Sequence, residues 1–546
     1  MKIRGIYFFF FPMVAAVFLA FILPYGAAFL SAFGDGKISL WKNPILFRVT
    51  FFTIKQAFFS VLLSLAIGLP GAWFAGGKSK RFRVLFRTLT SIPFAMPSIL
   101  VVLGFVLFYG NSGWLNRALA AFPGKAGPLY ILYKPQAIVL AHGFLNFPLV
   151  IRLVGDGVAR ARITYAPIAA SLGASPLVTF FTVTLPLLFP ALMSAMLLVF
   201  LYSFTSFAIV LVLGGGPAST TLPVEIYRHA RIFLNYPNAG MLALIETSIA
   251  LTVFIIYAYF ARIASSARVE IRERVFESKR ALPITIAMAS YLFLSMVFIL
   301  GPLVSLIFES LLARATRSAD EFFSFRWWST LGNTCLPAMF RSLVLAILSA
   351  STACFLALLA AAAVKITGVY GGGIPEKKKL FTERLINFFA ISPLISSGIV
   401  LGFGWIIFYG RGLSRTPAAL VVLHAVIALP FAYNSISEGF RSLPENILYA
   451  SSVSGSNPLR CIFSVLIPLS RNRLLSAWSF AAALSLGELN AVMMLGIDNW
   501  ETLPLYIYRA IGAYRYGLAS SAGTLLMLCC TLCLLLSELG RGKHVS

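Results

Sequence analysis

About twelve apolar runs, each of roughly 20 residues or more, punctuate this chain, and no other feature restricts its fold as much. They lie near residues 7–33, 49–75, 88–110, 135–155, 187–213 and 239–262. A second series lies near 282–309, 337–364, 386–410, 416–437, 473–497 and 517–537. A helical run of this length matches the hydrocarbon core of a bilayer. In lipid no water satisfies backbone groups, so such runs form helices, which close their hydrogen bonds internally. Several runs contain Pro or Gly, which membrane helices accept when neighbours satisfy the freed groups. Only 11% of residues are charged and 59% are hydrophobic, a composition that excludes a soluble globular chain.

The chain also says the same thing twice. Gly173 is followed thirteen residues later by Pro186, and Gly455 thirteen later by Pro468, 282 positions on. The same offset carries His142 onto His424, Pro148 onto Pro430, Asp156-Gly157 onto Glu438-Gly439 and Ala169 onto Ser451. Near the end of each copy the register slips by one, and Thr221-Leu-Pro-Val-Glu-Ile-Tyr-Arg228 becomes Thr502-Leu-Pro-Leu-Tyr-Ile-Tyr-Arg509. A duplication explains this, and parallel repeats are a common way to build a two-walled transport pathway. The expected fold is an all-α membrane protein of about twelve spans, in two homologous six-helix halves. The first half is residues 1–265, with a cytoplasmic loop near 158–186. A linker follows at 266–281, and the second half is 282–546, with its loop near 440–468.

Lys and Arg set the expected orientation. They collect at Lys78, Lys80, Arg81, Arg83 and Arg87, at Arg262, Arg268, Arg272, Arg274, Lys279 and Arg280, and at Lys365, Lys377, Lys378, Lys379 and Arg384. With twelve spans all three groups share a side with the N-terminus, so both termini are expected in the cytoplasm. Arg314, Arg317 and Arg326 fall on the other side. The first run follows Lys2 and Arg4 but is too long for a signal-peptide core, so it reads as a first membrane helix. The net charge of +26 sits in short loops between apolar runs, where it meets lipid headgroups and not nucleic acid. Six cysteines include Cys530-Thr-Leu-Cys533, but an apolar helix lacks the setting of a zinc or redox site.

Both predicted cytoplasmic loops have one plan. Tyr165-Ala-Pro-Ile-Ala-Ala-Ser-Leu-Gly173 and Tyr449-Ala-Ser-Ser-Val-Ser-Gly455 each bring a short helical stretch to a glycine, which tolerates the positive φ of a sharp helix-to-helix turn. The apolar Leu172, Leu177, Phe180 and Phe181 are expected to form one face. The chain re-enters the membrane at Leu185-Pro186 and Ile467-Pro468, with proline expected at a helix start.

An alanine-rich turn, a glycine, then thirteen residues to proline resembles the EAA loop of ABC importer permeases, and this resemblance covers nearly the whole chain. It implies the type I ABC importer permease fold, with each loop docking on an ATP-binding subunit through Ala169, Ala170, Gly173 and Pro186, and through Ala450, Ser451, Gly455 and Pro468. The family's acidic residue, six positions before the glycine, is replaced by Pro167 and Tyr449. Within the family, Phe204-Thr-Ser-Phe-Ala-Ile-Val-Leu-Val-Leu-Gly214-Gly-Gly-Pro, Ala239-Gly-Met-Leu-Ala-Leu-Ile-Glu246 and Ser485-Leu-Gly-Glu488 resemble thiamine (or thiamine pyrophosphate) permeases. Ferric-iron permeases, which share the fused layout, are the next resemblance. A phosphate-binding loop is missing: Ala72-Trp-Phe-Ala-Gly-Gly77-Lys78-Ser79 has Ala where the first Gly belongs and follows a membrane run. The resemblance therefore puts ATP and Mg on separate ATPase subunits, two copies expected, and implies an extracytoplasmic solute-binding protein, a bacterial inner membrane and no cofactor or metal on this chain.

Glu488 and Glu246 lie inside predicted spans, where a carboxylate faces a polar pathway or a partner. Thiamine carries a thiazolium charge, so Glu488 is a candidate counter-ion, and Trp405 and Trp478 offer ring faces to a cation. Ser206 occupies the Glu488 position in the first half. Packing remains the alternative for all of these. His142 and His424 each stand alone in a span and read as packing glue, not metal ligands. The expected delivery loops are Gly214–Asn238 and Gly496–Tyr516. A secondary transporter also has twelve spans and repeats, but needs no ATPase partner. A membrane enzyme needs a catalytic cluster, and the 18 acids and 4 histidines are scattered.

Overall fold

The computed structural model describes residues 4–33, 44–76, 82, 86, 90, 93, 96–121, 128–266, 282–312, 323–370 and 375–541. Lys78, Lys80, Arg81, Arg83, Arg87, Arg268, Arg272, Arg274, Lys279, Arg280, Arg314 and Arg317 lie outside the described residues, as does the linker from residue 267 onward. Apart from an isolated bridge between Leu312 and Phe323, the regular structure of the described residues is helical.

The spans are α1 (Phe10–Phe33), α2 (Ile45–Ala75), α3 (Ser98–Ala120), α4 (Pro135–Ser171), α5 (Pro176–Phe204), α6 (Tyr236–Ala264), α7 (Thr285–Leu311) and α8 (Leu336–Tyr370). Next comes α9, in which Glu376–Ile395 bends by 103° into Gly398–Gly410, then α10 (Pro417–Arg441). The last two are α11 (Arg471–Gly487, continued by Asn490–Leu495) and α12 (Tyr516–Glu538). Ten described helices are long and apolar enough to cross a membrane, and the bent pair adds an eleventh. The expected span near 473–497 is α11, shortened to 17 residues because it breaks at Glu488-Leu489.

The bend in α9 has local causes. Pro393 has no N–H to continue the helix, Ser396 N–H turns back to the Pro393 carbonyl (3.1 Å), and Ser397 is extended with its hydroxyl accepting the Val400 N–H (3.2 Å). Before α3 the same turn recurs 300 positions earlier, where Met96 N–H reaches the Pro93 carbonyl (3.1 Å) and Pro97 is extended. Phe108-Tyr-Gly110 and Phe408-Tyr-Gly410 carry the same offset. The duplication therefore also covers the third span of each half, in a second register.

Two compact units form, and they do not coincide with the sequence halves. One contains Met1–Ile38, Ile226–Leu244 and Ser310–Ser546; the other contains Ser39–Glu225 and Ile245–Glu309. The leading helix of each half thus joins the unit built mainly from the other half. In the first unit, Trp405 Nε1 donates to the Ala20 carbonyl (2.8 Å) and Tyr409 OH to the Leu19 carbonyl (3.1 Å), while Gly404 lies against the Pro24 backbone. In the second, Tyr291 OH donates to the Ile67 carbonyl (2.8 Å), Phe298 meets Phe144 edge-on at 5.5 Å, and Gly104 lies against Pro302. Phe21-Ile-Leu-Pro24 and Phe298-Ile-Leu-Gly-Pro302 are the matching strings of α1 and α7.

In lipid, packing quality and not apolar burial drives helices together. The second unit fills α2, α4 and α5 with Val61, Leu149, Val150, Leu188, Ala195 and Val199. The first uses small residues in α8, where Ala350, Ala353, Ala357 and Ala360 form a buried stripe that admits a close neighbour.

Candidate functional site

Both loops expected to be cytoplasmic fold into the same helix-stopping turn. In the first, α4 passes through a π-turn at Ala161–Tyr165 and runs to Ser171, the chain turns at Gly173 (φ 82°), and helix resumes at Pro176. Ala174 N–H donates to the Ala169 carbonyl (3.0 Å) and Gly173 N–H to the Ala170 carbonyl (3.0 Å), the paired bonds of a Schellman cap. In the second, a helix over Glu445–Val453 ends at Gly455 (φ 79°), with Ser456 N–H on the Ser451 carbonyl (3.1 Å) and Gly455 N–H on the Ser452 carbonyl (3.1 Å). Ala450 accepts the Ser454 N–H (3.0 Å). Ser175 and Asn457 cap the helices that follow, and Asn457 Oδ1 takes the Arg460 N–H at 2.8 Å. Nothing lies within 4 Å of a Cβ added at either glycine, so their backbone conformation alone requires Gly.

The prolines do not start helices, contrary to expectation. Helix begins ten residues earlier, at Pro176 and Pro458, and passes through π-turns at Phe180–Thr184 and Ile462–Leu466 before Pro186 and Pro468. Leu185 N–H reaches back five residues to Phe180, and Ile467 N–H to Ile462. A proline inside a helix lacks its N–H and crowds the carbonyl four residues back, and a widened turn just ahead accommodates it. The thirteen-residue spacing is thus the length of one π-bulged helix entry, used twice.

The surface these turns present is apolar. Leu172, next to Gly173, is 83% exposed, and Val453, two residues before Gly455, is 87%. Leu177 and Phe181 are exposed one helical turn apart, and their equivalents Leu459 and Phe463 repeat the pair. Phe180 instead turns inward, edge-on to Trp73 at 6.0 Å. Arg162 braces the first loop, donating to the Trp73 carbonyl (2.9 Å) with its guanidinium over the Trp73 ring (5.1 Å).

The fifth span of each half breaks at one register. After Phe204 the chain leaves the helix through Thr205–Phe207 and re-forms it over Ala208–Leu213; after Gly487 it leaves through Glu488-Leu489 and re-forms over Asn490–Leu495. Ser206 and Glu488 therefore both sit in a break. Glu488 is half-buried, its Oε1 accepts the Ala491 N–H (3.1 Å), and Gly398 leaves space beside it. Glu246 is buried within α6. Trp478 Nε1 donates to Ser351 Oγ (3.1 Å), and Trp405 is buried, with its N–H on Ala20 and its ring 4.6 Å from Tyr409. Trp405 is thereby engaged in holding α1. Glu488, Trp405 and Trp478 belong to the first compact unit, Ser206 and Glu246 to the second.

Two contacts escaped the sequence reading. Thr53 Oγ1 accepts the Leu222 N–H (3.0 Å) and Ser342 Oγ the Leu503 N–H (2.7 Å), so a hydroxyl from the second span of each half holds each Thr-Leu-Pro segment. The repeated Thr-Leu-Pro was visible, but not its partner, which lies 169 or 161 residues away. His142 and His424 each bond between helices: His142 Nδ1 lies 3.0 Å from Gln56 Oε1, and His424 Nδ1 lies 2.8 Å from Ser485 Oγ.

Residues 68–268 and 366–539 match the family described as binding-protein-dependent transport system inner membrane component. The chain belongs to that family. The two matched segments each contain one Schellman turn and one broken fifth span. Relatives of this permease family extend over nearly its full length. The thiamine transport system permease protein ThiP of Salmonella typhimurium is 26% identical over 95% of this chain and 93% of its own. ThiP of Brucella abortus is 27% identical over 96% and 95%, and ThiP of Escherichia coli 26% over 98% and 96%. As a member of this family the protein is a multi-pass inner-membrane transport permease, with the fused two-half layout.

Proposed function

We propose that this chain is the translocating subunit of an ATP-driven importer that carries thiamine, or its phosphates, from an extracytoplasmic binding protein into the cytoplasm. The observation that carries this reading is the near-full-length likeness to three thiamine permeases. The ferric-iron alternative gains no support from them, and a secondary transporter does not agree with a binding-protein-dependent family.

In this reading two copies of an ATPase subunit hold ATP and Mg and receive the turns at Gly173 and Gly455. Leu177, Phe181, Leu459 and Phe463 make the contact, replacing the missing acidic residue by apolar surface. Ala169, Ala170, Ala450 and Ser451 shape the turns, while Pro186 and Pro468 mark where the helix enters the membrane. Both termini face the cytoplasm, a reading supported by Arg262, Lys365, Lys377, Lys378, Lys379 and Arg384, which lie on α6, α8 and α9 in segments expected to be cytoplasmic. Glu488, Ser206, Glu246 and Trp478 are the pathway candidates, with Trp405 anchoring α1. ATP binding switches the helices between two packed arrangements.

The test is ATP hydrolysis by the reconstituted complex with its binding protein carrying either thiamine or ferric iron. Stimulation by the thiamine-loaded form alone supports the proposal. Stimulation by iron alone sinks the substrate, and no association with an ATPase sinks the importer.

A further inference from the structure

The break in α5 leaves a carbonyl in need of a donor, and the two copies solve this differently. In α11 the Ser485 carbonyl takes the Glu488 N–H of its own chain (3.3 Å). In α5 the equivalent carbonyl, Ser203, takes a side chain from another helix, Gln56 Nε2 of α2, at 2.8 Å. Gln56 Oε1 then faces His142 Nδ1 of α4 at 3.0 Å. Because Gln56 gives its amide N–H to Ser203, its oxygen is the acceptor, and His142 carries its proton on Nδ1. Ser60 Oγ donates to the backbone carbonyl of Gln56 (2.7 Å) and so offers a lone pair to the same His142 N–H at 3.3 Å. Asn146 Nδ2 adds a bond to Ser203 Oγ (3.2 Å). Gln56, Ser60, His142, Asn146 and Ser203 are all buried.

Polar groups this deep in a membrane bundle are expensive, and the other half keeps the buried His424 and Ser485 but does without the two amides. Where Gln56 stands in α2, the matching position of α8 is Leu345, aligned by the Thr53–Ser342 pair; where Asn146 stands, α10 has Ala428. His142 lies on the helix that continues, through a π-turn at Ala161–Tyr165, into the first coupling turn. We infer that Gln56 and His142 are positioning residues that tie the first coupling turn to the break in α5, so that movement of α4 is passed to the broken span. At the second break the carbonyl is satisfied by its own backbone, and no amide intervenes: His424 Nδ1 of α10 meets Ser485 Oγ of α11 directly at 2.8 Å. This inference rests on the importer reading above.

The experiment counts substrate molecules imported per ATP hydrolysed in proteoliposomes holding the full complex. Gln56→Leu, which copies Leu345, is expected to assemble with the ATPase and hydrolyse ATP, yet import on the order of tenfold less per ATP. His142→Gln, which keeps a donor to Gln56, is expected to restore more of that ratio than His142→Ala. Wild-type ratios in both Gln56→Leu and Gln56→Met overturn the inference. So does failure of both variants to assemble, since the amide would then serve folding alone. If the unmutated complex ignores thiamine, the substrate reading fails instead. The tie is then read as binding-protein-stimulated over basal ATP hydrolysis, which the same variants are expected to lower.

Discussion

Gly404 lies against the backbone of Pro24, 380 residues earlier, with no room for a Cβ between them, and Gly104 stands in the same relation to Pro302. An added Cβ at Gly104 would come to 2.8 Å from the Pro302 carbonyl oxygen. Backbone cannot yield as a flexible side chain does, so α1 and α7 must shift. Gly404→Ala and Gly104→Ala are each expected to cost about 1–3 kcal/mol. Thermal unfolding in detergent checks this, and a loss at one site only would show that the two contacts are not equivalent.

Gly173 and Gly455 separate backbone strain from packing. An L-residue at these positive φ angles costs about 1–2 kcal/mol, yet nothing crowds its side chain. Valine at either site is expected to reshape the turn, leave the membrane helices folded, and weaken copurification with the ATPase. Circular dichroism beside pull-down distinguishes this from general unfolding.

Leu177 and Leu459 test the apolar docking surface. Aspartate at either is expected to weaken ATPase binding by about thirtyfold, the size of a roughly 2 kcal/mol interface anchor. Both are exposed, so the unbound permease is expected to keep its thermal stability. Titration of purified ATPase against the two variants measures the effect, and unaltered affinity would exclude this surface.

Glu488→Gln keeps the shape of a side chain that accepts the Ala491 N–H (3.1 Å) but removes its charge. Thiamine import is expected to fall about tenfold, or roughly 1.4 kcal/mol, while ATPase assembly persists. Radiolabelled uptake into proteoliposomes reads this directly; undiminished uptake would leave Glu488 a helix cap only.

Local features were legible in the sequence. Apolar runs, the Gly173 and Gly455 turns, and the Thr-Leu-Pro repeats each rest on neighbouring residues. The π-turns before Pro186 and Pro468 were not, because proline at a helix entry and proline after a widened turn share one sequence pattern. The break at Glu488 was hidden inside an otherwise apolar run. Trp405 looked available to a cation because its acceptor, Ala20, lies 385 residues away. The exchange of leading helices was hidden for the same reason: apolar surface shows that a helix is buried, not by which partner.

That exchange has a consequence for how the chain is made. At synthesis rates of about 5–20 residues per second, α1 emerges roughly 20–80 seconds before Trp405, the residue that will hold its Ala20 carbonyl. During that interval α1 waits without the α9 residue that will hold it. Joining both halves in one polypeptide shortens its later search, since the helix that must find α9 is already tethered to it.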